Sequence, residues 1–125
     1  MHTRATKLAA FGRLLDILDE LREKCPWDKE QTNESLRPLT IEETYELSEA
    51  LLAGNTADIS KELGDILLHI LFYAKIGEEQ EAFDMEDVCN QLSTKLVYRH
   101  PHIFSDTAVA DAREVEQNWE KLKLT

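Results

Sequence analysis

The chain of 125 residues contains little glycine and little proline, with four and three residues respectively. These residue types most often form turns and interrupt helices, so their scarcity favours a helical protein. Hydrophobic residues make up 42% of the sequence, which is enough to bury a core in a chain of about one domain. We therefore expect residues 1–125 to form a single all-α domain.

Cysteines are also few, and a long apolar run is absent. Cys25 and Cys89 lack the close spacing of a metal site; the sequence leaves a disulfide open, but reduced thiols of a cytoplasmic protein are the better interpretation. The longest uncharged apolar stretch, Ile66–Ala74, is much shorter than the roughly 20 residues of a transmembrane helix. Asp16 and Asp19 interrupt the apolar positions near the N-terminus, which argues against a signal peptide.

Positive charge is in deficit, because 14 Lys and Arg residues face 25 Asp and Glu residues, for a net charge of −11. Nucleic acids and anionic membranes are bound by clustered Lys and Arg, so we expect neither as a partner. A free nucleotide is also an anion, but it carries Mg²⁺ and can meet a local basic patch.

Apolar residues recur at helical spacing along most of the chain. The pattern predicts helices at about residues 3–24, 40–53 and 57–77, the third of which is capped by Thr56 or Asn55. It predicts a fourth helix that Asp84 caps and Pro101 ends, then a loop, and a last helix at about residues 108–122. The helix at residues 57–77 is the most apolar. Short connections between such helices are typical of an all-α bundle.

Residues 25–39 are predicted to form a loop, with one helical turn near residues 33–37 that Pro38 ends. Thr40 is a good N-cap for the helix that follows, and Glu43 stands at the capping-box position. Glu43 can close this capping box or bind a metal, but not both with the same oxygens, and we favour the metal.

Two acidic pairs on consecutive helices are the main functional signal. Glu43 and Glu46 are three residues apart, as are Glu62 and Asp65, so each pair lies on one helix face. Converging carboxylates repel one another, and Mg²⁺ offsets this because it prefers oxygen ligands. Acids that simply face solvent are the alternative, but Asp65 lies in the most apolar helix, where an unpaired carboxylate is costly. Glu42 can act as a further ligand or bind an attacking water.

Two other polar residues lie beside these acids in the sequence. His69, one turn beyond Asp65, is interpreted as a core histidine with one hydrogen bond rather than as a metal ligand. Lys61 precedes Glu62 and can contribute to phosphate binding. The helices that carry the acids lack the Glu-x-x-His pairs of di-iron bundles, which weighs against redox iron.

A basic cluster near the end of the fourth predicted helix is the counterpart of the acids. Lys95 and Arg99 are one turn apart and can point at one substrate, although they also suit the helix dipole. Phosphate binding needs such counter-charges beside a metal. Trp119 is a packing residue or a stacking surface for a nucleobase, and Lys123 follows it by one turn.

These motifs resemble the MazG family of all-α nucleoside triphosphate pyrophosphohydrolases. The acids match its E-E-x-x-E and E-x-x-D signatures, at residues 42–46 and 62–65. The blocks C-P-W-D-K-E-Q-T at residues 25–32 and R-H-P-H-I-F at residues 99–104 also resemble MazG, specifically the N-terminal copy of the tandem MazG proteins. The resemblance covers roughly residues 8–123.

The resemblance implies a four-helix-bundle-like domain with an extra C-terminal helix, assembled as a homodimer or a higher oligomer. It implies a hydrolase of acid anhydrides that cleaves nucleoside triphosphates to monophosphates and pyrophosphate, in nucleotide-pool house-cleaning, with Mg²⁺ or, as a substitute, Mn²⁺. The metal ligands would be Glu43, Glu46, Glu62 and Asp65. The catalytic set adds Glu42, and the nucleotide contacts would be Lys61, Lys95, Arg99, Trp119 and Lys123.

Our mechanistic hypothesis is attack of water on the α-phosphorus, with Glu42 or a neighbouring acid orienting or deprotonating that water. Lys95 and Arg99 would neutralise charge on the phosphates. Two alternatives are a catalytically silent nucleotide-binding or dimerisation module, and a narrower dUTP or dCTP pyrophosphatase.

Overall fold

The computed structural model describes residues 1–124, and these form seven helices without a strand. The helices are α1 (Arg4–Lys24), α2 (Pro26–Glu30), α3 (Asn33–Ala53), α4 (Thr56–Glu79), α5 (Met85–Arg99), α6 (Pro101–Phe104) and α7 (Ala112–Lys123). The predicted all-α class is confirmed. The chain divides into two compact units, Met1–Asp84 and a second that begins at Met85. That residues 1–125 form one domain stays a prediction.

The first helix of the chain begins and ends as its sequence predicts. Thr3 is the N-cap of α1, where its hydroxyl accepts a hydrogen bond from the backbone N–H of Thr6. Cys25 follows the last residue of α1, and its extended backbone ends the helix. No helix within residues 1–124 is long and apolar enough to cross a membrane.

The predicted loop at residues 25–39 is wrong, because α2 and the start of α3 occupy most of it. Thr32 and Ser35 form a reciprocal capping box, in which each side-chain oxygen accepts from the other residue's backbone N–H. This start signal lies upstream of Thr40. Pro38 lies inside α3, where it removes one backbone donor, while neighbouring Leu36 is only 2% exposed. Burial and capping therefore outweigh the local cost of proline.

A tight connection between α3 and α4 makes the two helices antiparallel neighbours. Gly54 adopts a left-handed conformation, with φ of 73°, and its N–H donates to the carbonyl of Ala50. Asn55 then caps α4 by accepting from the N–H of Asp58 at 3.1 Å. The second half of α3 consequently lies beside the first half of α4, which is where both acidic pairs occur.

The core of the first unit lies mainly along α4, with contributions from α1 and α3. Its buried apolar side chains are Leu18, Leu36, Ala50, Leu71, Phe72, Ala74 and Ile76. α3 packs mainly against α4, and α1 contacts both α2 and α4. This burial fixes the backbone that carries the acids.

Arg22 joins α1, α2 and α4 through its guanidinium. Its Nε and Nη2 donate to the two carboxylate oxygens of Glu79, each at 2.8 Å. Its Nη1 donates to the backbone carbonyls of Asp28 and Gln31 at 2.7 and 2.8 Å. The hydrogen bonds to Glu79 raise the pKa of Arg22 and lower the pKa of Glu79. The segment at residues 25–32 therefore receives hydrogen bonds that hold its fold.

The second unit comprises α5, α6 and α7. α5 begins directly after Asp84, as predicted, and ends at Arg99. The loop predicted after Pro101 instead contains α6, since proline is favourable at a first helical position. Asp111 caps α7 by accepting from the N–H of Glu114 at 3.0 Å, so the last helix begins later than residue 108.

Candidate metal centre and nucleotide-contact residues

Four carboxylates from α3 and α4 meet at one place in the first unit. Glu43 and Glu46 project from α3, and Glu62 and Asp65 project from α4; one oxygen of each lies within 4.8 Å of the others. Their three-residue spacing puts each pair on one face, and the antiparallel packing brings the two faces together. The arrangement offers oxygen ligands at the mutual distances that one hard cation requires.

The burial of two of these acids makes the cluster costly without a cation. Glu62 is only 9% exposed. One oxygen of Glu43 and one of Glu62 are buried and have no hydrogen-bond partner among the described residues. The pKa of Glu43 is raised from 4.5 to about 7, mainly by burial and then by the charges of Glu46, Asp65 and Glu62. A bound cation would satisfy unpartnered carboxylate oxygens of this kind.

The capping conflict that the sequence suggested for Glu43 does not exist in the structure. α3 begins at Asn33 and not near Thr40, so Glu43 lies well inside the helix. Glu43 is therefore not needed to cap the helix, and its carboxylate is available to the cluster. Glu42, its exposed neighbour, is not among the four converging acids.

Lys61 is the cation nearest to the cluster within the first unit as described. Its Nζ donates to one oxygen of Glu62 and to one oxygen of Asp65, both at 3.2 Å. The hydrogen bond to Asp65 and then that to Glu62 raise the pKa of Lys61. The Lys61 side chain is 66% exposed, so the ammonium can leave without disturbing the core.

A hydrogen-bonded group behind the acids was not predicted from the sequence. The hydroxyl of Thr40 lies 2.6 Å from Nδ1 of His69 and also contacts the hydroxyl of Tyr73. His69 is buried, as its interpretation as a core histidine requires, and burial lowers its pKa. The four-residue spacing of Asp65, His69 and Tyr73 places them on one face of α4, but the contact to Thr40 depends on packing between helices.

The second unit brings together some of the residues predicted to bind nucleotide. The guanidinium carbon of Arg99 lies 5.6 Å from the centroid of the Trp119 ring. His100 meets the same ring edge-on, with ring centroids 4.8 Å apart, and its Nδ1 lies 2.6 Å from the carbonyl oxygen of Leu96. Arg99 and Trp119 therefore form one local group.

The other two predicted nucleotide contacts in this unit have different surroundings. Lys95 lines a shallow depression on α5 together with Asn90, Gln91, Thr94 and Tyr98. Lys123 lies near the carboxylate of Glu120 on α7, at 3.5 Å. Neither contact by itself indicates a nucleotide.

Comparison with known proteins gives one family. The model of the MazG nucleotide pyrophosphohydrolase domain matches residues 31–104. The chain is 44% identical over 116 residues to the nucleoside triphosphate pyrophosphohydrolase of Escherichia coli K12, which covers 90% of the chain and 44% of that protein. It is also 44% identical over 115 residues to the nucleoside triphosphate pyrophosphohydrolase/pyrophosphatase MazG of Thermotoga maritima, with the same coverage. The chain thus spans about 44% of the length of these relatives.

A solved structure agrees with the helical fold. The chain is similar to a mazG-related protein from Thermotoga maritima, with a TM-score of 0.77 and 27% sequence identity. The similarity covers 91% of this chain and 99% of that one.

Proposed function

Since this chain belongs to the MazG nucleotide pyrophosphohydrolase domain family, we propose that it hydrolyses nucleoside triphosphates to monophosphates and pyrophosphate. The observation that carries this proposal is the group of four carboxylates within 4.8 Å, two of which have buried oxygens without a partner in the described chain. The proposed role is nucleotide-pool house-cleaning in the cytoplasm, where the free thiols of Cys25 and Cys89 would stay reduced.

The proposed cofactor is Mg²⁺, for which Mn²⁺ can substitute. The donor set consists only of carboxylates, which suits a hard cation better than a soft one. Glu43, Glu46, Glu62 and Asp65 would hold it, and the raised pKa of Glu43 indicates how strongly the group attracts positive charge. When bound, the cation would supply charge neutralisation for the triphosphate.

Different residues of the chain would have different roles in the proposed reaction. A water oxygen attacks the α-phosphorus, the bond to the bridging oxygen breaks, and pyrophosphate leaves. Glu42, exposed beside the cluster, would orient this water and accept its proton. Lys61, Lys95, Arg99 and Lys123 would provide positive charge for phosphate oxygens, and Trp119 would offer its ring to the base.

We also propose that the chain forms a homodimer or a higher oligomer. Large apolar side chains remain exposed on α3 and α4, namely Ile41, Tyr45, Leu51, Leu52, Leu63, Leu68 and Ile70. A surface of this kind is typical of a protein–protein interface. Light scattering after size exclusion should give at least twice the chain mass of 14.4 kDa; a monomer at tens of micromolar would contradict this part of the proposal.

The decisive test is pyrophosphate release from the common ribo- and deoxyribonucleoside triphosphates with Mg²⁺. Activity with several bases supports a general enzyme, whereas activity with dUTP or dCTP alone would indicate the narrower pyrophosphatase. EDTA should abolish turnover, and added Mg²⁺ should restore it.

A second candidate is a catalytically silent nucleotide-binding module. It is favoured by the fact that the chain spans only about 44% of its relatives' length, because a partner domain can carry the activity. Calorimetry with a non-hydrolysable triphosphate separates the two functions. Binding without any product in the release assay would favour the module.

A further inference from the structure

Lys61 forms ion pairs with two of the four acids that would hold the cation. We propose that Lys61 is an internal counter-cation, which metal displaces from Glu62 and Asp65, and whose released ammonium then binds the triphosphate. Metal and nucleotide would therefore bind cooperatively through this one side chain. The inference rests on the proposed function, but its main test needs no turnover.

The two ion pairs and the metal compete for the same carboxylates. Nζ of Lys61 lies 3.2 Å from Glu62 and 3.2 Å from Asp65, and both residues belong to the four-acid group. A hard cation contacts its oxygens at about 2.0–2.1 Å. An ammonium that bridges the same pair would repel that cation and weaken its binding, even where the cation takes the other oxygen of a carboxylate.

The mobile partner in this exchange is the lysine. The side chain of Glu62 is 12% exposed, whereas that of Lys61 is 66% exposed. Burial fixes the carboxylate, and the exposed lysine stem can turn into solvent at little cost. One ammonium also leaves the buried second oxygen of Glu62 without a partner in the described structure. Lys61 therefore neutralises the four acids only in part, so a cation of higher charge is still favoured at the cluster.

Other lysines of the first unit do not have this arrangement. Lys24 pairs with Glu20 on the surface of α1. These two residues are four positions apart, as Lys61 and Asp65 are, but here the acid precedes the lysine. Lys75 pairs with Asp19 and Glu78, and none of these acids belongs to the four-acid group. Lys24 is thus a matched control for the loss of one positive charge.

Cooperativity follows from linkage between the two ligands. Without metal, the carboxylates hold the ammonium and reduce its availability to phosphate. With metal, the ammonium is released and can pair with phosphate oxygens. If metal strengthens nucleotide binding by this route, nucleotide must strengthen metal binding by the same factor, and the contribution must disappear when Lys61 loses its charge.

The main experiment is calorimetric titration of Mn²⁺ into the wild-type chain, Lys61→Gln, Lys61→Arg and Lys24→Gln, without nucleotide. We expect Lys61→Gln to bind Mn²⁺ about three- to tenfold more tightly, as the loss of two ion pairs made by one exposed lysine permits. Lys61→Arg, which keeps the charge, and Lys24→Gln should stay near the wild-type affinity. Unchanged or weaker binding by Lys61→Gln would overturn the inference, as would an equal gain in Lys24→Gln.

A second measurement tests the coupling itself. The affinity for an α,β-methylene triphosphate analogue is compared with EDTA and with saturating Mn²⁺. We expect the gain on adding metal to be several-fold larger in the wild-type chain than in Lys61→Gln, and equal gains would refute the exchange. If neither chain binds Mn²⁺, the proposed function fails as well; if both bind it equally, only the role of Lys61 fails.

Discussion

The two compact units hold their polar groups in different ways. In the first unit, α3 and α4 carry the four acids on a backbone that is fixed by buried side chains such as Leu36 and Leu71. In the second unit, no described residue of α5, α6 or α7 is buried. Arg99 lies over the ring of Trp119 there, and His100 meets the same ring edge-on. A buried core therefore holds the four acids in place, whereas the predicted nucleotide contacts of the second unit depend on a few half-buried side chains.

The largest effect is expected from a cavity in the core of the first unit. Leu36→Ala should reduce the free energy of unfolding by about 2–5 kcal/mol, because Leu36 is almost completely buried and its site cannot fully collapse. Urea unfolding followed by circular dichroism measures this loss. The matched change in the second unit, Leu92→Ala, should cost less than about 1 kcal/mol, since Leu92 is exposed. Equal losses would break the comparison between the units.

The next largest effect concerns the acids. Asp65→Asn should lower the rate of pyrophosphate release by about 100-fold or more, since even residues that only support metal ligands are worth about 10- to 100-fold. It should also weaken Mn²⁺ binding in calorimetry. The control is Glu34→Gln, which changes an exposed acid at the start of α3 outside the four-acid group. Wild-type rates in Asp65→Asn would remove the proposed site.

A smaller effect is expected from the aromatic residue of the second unit. Trp119→Ala should raise KM by about tenfold, because stacking of one base on an aromatic ring is worth about 1–3 kcal/mol. The change should leave the unfolding free energy of the first unit unaffected. Trp27→Ala, which removes an exposed tryptophan of α2, is the control for kinetics. An unchanged KM would show that Trp119 does not contact substrate.

The smallest effect is a pH dependence that arises from Glu43. Its pKa is raised from 4.5 to about 7, so the native chain holds a proton that the unfolded chain has lost. Between pH 4.5 and about 7, the unfolded chain loses the Glu43 proton while the native chain keeps it. The free energy of unfolding therefore falls as pH rises through this range. After allowance for screening by solvent, we expect about 1 kcal/mol.

Urea unfolding in EDTA at pH 5 and pH 8 tests this sign. Glu43→Gln should be relatively more stable than the wild-type chain at pH 8 and nearly equal to it at pH 5. With saturating Mg²⁺ at pH 8, the wild-type chain should instead be more stable than Glu43→Gln, since the carboxylate then has a partner. A wild-type chain that gains stability relative to Glu43→Gln between pH 5 and pH 8 in EDTA would contradict the raised pKa.

The sequence predicts those parts of the fold that depend on local patterns. The bounds of α1, the cap at Asn55 and the spacing of the acids are local signals, and the structure agrees with each of them. Thr40 and Pro38 misled the prediction, because the capping box at Thr32 and the burial of Leu36 decide where α3 begins. A proline is a strong signal in isolation, but tertiary packing overrides it here.

The rest of the candidate site depends on contacts between distant residues. The hydrogen bonds of Thr40 to His69 and Tyr73 join α3 and α4, and no spacing along one helix specifies them. The pairing of Lys61 with both Glu62 and Asp65 is compatible with helical spacing, but so is a lysine that simply faces solvent. Burial of Glu62 is likewise a result of packing that its own position in the sequence does not reveal.

The continuity of α3 through Pro38 has a geometric consequence for the acids. Leu36 and Glu43 are seven residues apart on one uninterrupted helix, so their side chains differ by only about 20° around its axis. Anchoring the leucine thereby sets the rotational phase of the carboxylate. One alanine inserted between them would turn the carboxylate by about 100° and disperse the cluster, although the helix itself would persist.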